Sequence, residues 1–128
     1  MAKEDYIIVT NNPMVYQKYD GQRKMIYAET SYEGLLQQVR DKVHEGRHLL
    51  SHPLSGSVKP NETPYKSVMI SARPGSLSRE SLRMIESAIE ACKKFAFRTE
   101  TYDEAVHRDF QWVDLNLIES GMESADLM

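Results

Sequence analysis

A single cysteine, Cys92, stands in 128 residues. No disulfide can close within the chain, and this fits a reducing, cytoplasmic setting. Long apolar runs are absent as well. The run near the start, Tyr6-Ile7-Ile8-Val9, is too short for a signal-peptide core or a membrane span, so the chain reads as soluble. Basic charge is not in excess: the formal net charge is -3 and the pI is about 5.8. Nucleic acid and anionic membrane both reward a basic face, and neither is expected as a partner. There is no GxGxxG fingerprint and no GxxxxGK[ST] loop, so neither nucleotide signature applies. Internal repeats and low-complexity tracts are also missing.

At 41% hydrophobic and 27% charged residues, the chain can build one core of ordinary domain size, and residues 1–128 are expected to form a single domain. Tyr6–Val9 is a β-branched and aromatic run, hence a buried strand. It stops at Thr10-Asn11-Asn12-Pro13, where Asn is a good helix N-cap and Pro suits the first helical turn. Lys24–Ala28 reads as a second strand. Thr30-Ser31-Tyr32-Glu33 then has the form of a capping box, and Leu35, Leu36, Val39 and Val43 follow at helical spacing up to Gly46. Arg47–Ser51 is a third, shorter strand and Ser67–Ser71 a fourth. Leu82, Ile85, Ile89, Cys92 and Ala96 mark one C-terminal helix. Val106, Phe110, Val113 and Leu117 mark a second, ending near Gly121. The order predicts an α/β fold with a small, mostly parallel sheet of about four strands, flanking helices in Rossmann/flavodoxin-like layering, and two C-terminal helices. The direction of the fourth strand is left open.

The segment Ser51–Lys66, SHPLSGSVKPNETPYK, is the chain's most distinctive stretch. It is polar and long, and three prolines restrict its backbone. Such a loop in a small domain is usually functional or disordered, and the prolines favour order. In an α/β fold, ligands bind beyond the carboxyl ends of the strands. Two polar segments are expected there: Asn11-Asn12, and the loop from His52 onward. Asn11 and Asn12 offer amide groups at a helix start, or else an ordinary cap. Ser55-Gly56-Ser57 could wrap a phosphate or carboxylate, with Lys59 adding charge and His52, Asn61 and Thr63 further contacts. The alternative for this set is a plain surface loop.

His52 is the one catalytic candidate, as an acid–base group, but no partner for its proton can be assigned from sequence. His44, His48 and His52 recur every four residues, yet they do not make a metal site. Gly46 separates the first two, and the last two would lie about 13 Å apart along a strand. No metal and no cofactor is expected. Cys92 falls on an apolar helix stripe and reads as a small buried hydrophobe. Trp112, one step before the stripe position Val113, either flanks the core or forms a contact surface.

Ile8-Val9-Thr10-Asn11-Asn12-Pro13, the segment His52–Ser67, and Asp109-Phe110-Gln111 with Asp114-Leu115 together resemble the GrdX family. The resemblance covers nearly the whole chain, and its central motif is the most specific part. It implies a small protein associated with the glycine, sarcosine and betaine reductase systems of amino-acid-fermenting anaerobes. It supplies no catalytic residues to carry over. With the loop, it suggests an accessory protein that binds a small anionic metabolite, a carboxylate or phosphate. Two other functions stand beside that one: an assembly factor docking on a reductase component, and an acyl- or phosphoryl-handling enzyme using His52. A homodimer through a stripe of the C-terminal helices is also open.

Overall fold

The computed structural model describes residues 5–55, 62–94 and 101–127. Within them lie three strands and four helices: β1 (Tyr6–Thr10), α1 (Pro13–Tyr19), β2 (Met25–Tyr27), α2 (Tyr32–His44), β3 (Ser67–Ser71), α3 (Arg79–Lys93) and α4 (Glu104–Asp126). The sheet order is β2-β1-β3. β1 pairs parallel with β2 and antiparallel with β3, with Thr10 opposite Ser67. This corrects the expected four-stranded, mostly parallel Rossmann/flavodoxin-like arrangement: the sheet has three strands and is mixed.

The missing strand has a local cause. Residues 47–51 run beside β3 and make one antiparallel bridge, Leu49 to Ile70. Serine hydroxyls take the places that a backbone ladder would use. His48 N–H donates to Ser71 Oγ and Met69 N–H to Ser51 Oγ, while Leu49 N–H, on the side away from β3, donates to Ser81 Oγ. Side-chain acceptors of this kind compete with regular pairing.

Strand alternation builds two cores, because successive side chains face opposite ways. Val9, Val68 and Ile70 pack against Leu35, Leu36, Val39 and Val43 of α2 and Ile85, Ala88 and Ile89 of α3. Ile8 and Met69 face the other way, onto Val15 of α1 and Leu115, Ile118 and Met122 of α4. The α4 stripe is therefore rotated from the expected one. Leu117 is exposed, while Asp114, Leu115 and Ile118 are buried. The helix also passes Gly121 and ends at Asp126.

The helix starts follow the capping rules with small shifts. Asn12, Ser31, Ser78 and Asp103 each accept a backbone N–H from the first turn. Gly46 closes α2 at φ 100°. A Cβ there would lie 2.0 Å from the Gly75 carbonyl oxygen. Both the positive φ and the contact demand glycine. Gly46→Ala should therefore cost at least about 2 kcal/mol of stability. Its urea midpoint should fall with an unchanged slope.

Candidate functional site

The strands β1 and β2 end, and β3 begins, at one edge of the sheet. The first turns of α1 and α2 open at the same edge, capped by Asn12 and Ser31. Polar side chains gather there, some of them fully buried.

Asp114 is the first of these. It projects from α4 and is 3% exposed. Its Oδ1 accepts the Ser67 N–H at 2.9 Å, and its Oδ2 accepts the Ser67 hydroxyl at 2.7 Å and the Asn12 Nδ2–H at 3.0 Å. These bonds fix the protons around them. Ser67 gives its only hydroxyl proton to Asp114, so in the 2.7 Å contact between Thr10 Oγ1 and Ser67 Oγ the donor is Thr10. Thr10 Oγ1 in turn accepts the Asn12 N–H at 2.9 Å. The network ties α4 to the start of β3 and the end of β1.

Asn11 and Asn12 serve this framework. Asn11 donates its two amide protons to the Thr30 and Pro64 carbonyls and accepts the Lys66 N–H at 2.8 Å. Asn12 donates to the Gln111 carbonyl and Asp114 and accepts from Met14 N–H. Neither side-chain amide keeps a free proton for a ligand. Thr63 is buried, and its Oγ1 accepts the Tyr65 N–H in a local turn. His52 is exposed, with Nδ1 accepting the Leu54 N–H at 3.1 Å. Gly56, Ser57, Lys59 and Asn61 lie outside the described residues.

Lys66, immediately before β3, is the unexpected member. It is only 5% exposed, and its Nζ donates to Ser55 Oγ at 3.2 Å. Burial pushes its pKa down, and the Asp114 charge partly restores it. Beneath Ser55 lies Tyr32 of α2, whose hydroxyl donates to the Pro53 carbonyl at 3.3 Å. Burial pushes the Tyr32 pKa up, and hydrogen bonds that its oxygen accepts from Ser55 act in the opposite direction. Ser55 thus joins Tyr32 and Lys66, and it is itself half-buried, at the rim.

A second polar group stands along the edge. Gln111 Nε2–H donates to the Tyr65 hydroxyl at 3.0 Å, and that hydroxyl lies 2.8 Å from His107 Nδ1. Tyr102 stacks on Phe110 at 5.5 Å between ring centroids and donates to the Glu62 carbonyl. These contacts fasten the end of the loop to α4.

Sequence reading passed over Lys66, Tyr32, Asp114 and His107 as site residues. Two of them had a signal. Lys66 belongs to the distinctive loop, and Asp114 interrupts the apolar pattern of α4 where a carboxylate needs partners. Among the described residues no His, Cys, Asp and Glu cluster could hold a metal ion. No helix among them is long and apolar enough to cross a membrane.

Cys92 takes no part in the edge. It is buried in the α2–α3 core, and burial, with Glu33 adding to it, pushes its thiol up to about 11. A thiol needs its thiolate to react. Iodoacetamide at about pH 8 should modify Cys92 at least about a hundredfold more slowly in the native chain than in urea. Native labelling should speed up as the pH approaches 11.

Residues 7–123 match the family model described as GrdX-like protein. The chain belongs to the GrdX-like protein family. No curated protein and no solved structure matches it. The match takes in all of the sheet but Tyr6, together with the Ser55–Lys66 contact and the Asp114 network.

Proposed function

We propose that this GrdX-like protein is a cytoplasmic accessory of a glycine, sarcosine or betaine reductase system. In this reading it binds a small carboxylate or phosphate at the strand-end edge. The family carries the reductase association. One observation carries the binding: a lysine ammonium withdrawn from water whose bond among the described residues is to a single serine. An ammonium has three donors, and a buried one gains most from an anionic partner. The acidic whole favours a small ligand here over a polyanion.

The test is a thermal-shift screen against phosphate, acyl phosphates, glycine, sarcosine and betaine. A ligand present at a hundred times its Kd adds about 2.7 kcal/mol. For a chain of this size that raises Tm by about 10 °C. The shift should vanish in Lys66→Met and survive in Lys66→Arg. Equal shifts in wild type and Lys66→Met would refute the site.

Trp112 supports a second reading. It is 60% exposed on α4, on the surface beside Gln111 and Asn116. A large exposed aromatic ring suits a docking contact, here on a reductase component. Trp112→Ala should abolish retention of that component on immobilised protein. Unchanged retention would remove Trp112 from the contact.

A further inference from the structure

Ser55 and Lys66 have the relation of a nucleophile to its base. The hydroxyl sits at the rim, half-buried, and the amine lies behind it at 3.2 Å, sealed from water. Serine is a weak nucleophile until a neighbouring group removes its proton, and lysine performs that task once neutral. Desolvation favours the neutral amine, so a larger fraction of Lys66 is basic at a given pH than of an exposed lysine. Asp114 faces the amine from α4 and opposes this, but its oxygens are engaged by Ser67 and Asn12. Tyr32 faces Ser55 from α2, and its raised pKa keeps its hydroxyl a neutral donor.

We propose that Ser55 is an acyl-accepting nucleophile with Lys66 as its general base, and that the edge cleaves small activated acyl compounds. This rests on the reading of the edge as a metabolite site. The Ser55 oxygen forms a bond to the acyl carbon while the bond from that carbon to its leaving group breaks. Lys66 takes the hydroxyl proton and returns it to the leaving group. Water then attacks the acyl-serine ester, with Lys66 again taking and returning a proton, and releases the carboxylic acid and free Ser55. The sum is acyl compound plus water giving acid plus leaving group, with no change of oxidation state.

The experiment uses the full chain and two probes. A fluorophosphonate is attacked by an activated serine and loses fluoride, leaving a phosphonyl adduct that peptide mass mapping locates. p-Nitrophenyl acetate reports acyl transfer by release of nitrophenolate. The adduct is expected on Ser55 and on no other serine. Labelling and nitrophenolate release should be at least about tenfold slower in Ser55→Ala and in Lys66→Arg. In wild type both rates should rise with pH as Lys66 loses its proton. Lys66→Arg separates this proposal from the binding reading, because arginine keeps the charge but cannot act as a base. Anion binding retained in Lys66→Arg with labelling lost supports both. Anion binding without any Ser55 adduct in wild type overturns the nucleophile and leaves the binding site standing. Equal labelling in Lys66→Arg and wild type overturns the role of Lys66. A Ser55 adduct in a wild type that binds no anion overturns the metabolite reading and retains the pair.

Discussion

Asp114→Ala should cost about 3–5 kcal/mol, enough to leave the chain largely unfolded or marginal at room temperature. The substitution removes the acceptor of three hydrogen bonds in a site that water does not reach. The Ser67 N–H and hydroxyl and one Asn12 proton would be left in the interior. Each buried donor without a partner costs about 1–3 kcal/mol. The loss spreads further, because Thr10 and Asn12 are oriented through the same network. Asp114→Asn keeps the shape and one acceptor oxygen, so it should lose less. Asn12→Ala should be strongly non-additive with Asp114→Ala, since the two side chains share a bond. Urea titrations of the wild type, the three single variants and the Asp114→Ala/Asn12→Ala double variant check this. A loss below about 1 kcal/mol in Asp114→Ala would contradict the network's structural role.

Lys66→Met should separate binding from stability. It is expected to abolish the ligand-induced rise in Tm, while the unliganded protein melts at or above the wild-type temperature. Removing a buried charge in favour of an apolar chain of similar length is often neutral or stabilising. The pH dependence provides an internal check. The folded pKa of Lys66 lies below the ordinary lysine value of 10.5 that applies in the unfolded chain. Between the two values the unfolded state binds more protons, so this group's contribution makes wild-type stability rise with pH. Below that window the full cost of burying the charge is present. The advantage of Lys66→Met should therefore be greatest near neutrality and shrink as the pH climbs through the folded pKa towards 10.5. An advantage that grows with pH would contradict the assignment of a depressed pKa to Lys66.

Sequence patterns located most elements because each carries its own local signal. The runs at Tyr6–Val9 and Ser67–Ser71 became β1, which extends to Thr10, and β3, and Leu35 to Val43 became the buried stripe of α2. Sheet topology was less legible. The residues of β3 are buried throughout, so no alternation marks its direction. Residues 47–51 look like a strand, but Ser51 and Ser71 supply acceptors from their side chains, which propensity does not foresee. In α4 the apolar pattern around Val113 and Leu117 misled because Asp114 takes a core position by virtue of partners distant in sequence.

The edge itself was only half legible. Strand ends and the long loop pointed to the edge where β1 and β2 end and β3 begins, and polar side chains gather there. Asn11 and Asn12, however, were read as groups for a ligand, and their amides are taken up by Thr30, Pro64, Gln111 and Asp114. Lys66 gave no sign of being buried, since only the fold brings the α4 carboxylate and the Ser55 hydroxyl towards it.

The most direct test of the central claim is an NMR titration of the uniformly labelled protein with phosphate and with a small carboxylate, following the backbone amides. A ligand held at the strand-end edge should shift the amides of Ser55, Tyr65, Lys66 and Ser67 first and most strongly, and these shifts should disappear in Lys66→Met. Shifts centred on any other surface, or identical shifts in Lys66→Met, would contradict a binding site built on Lys66 and Ser55.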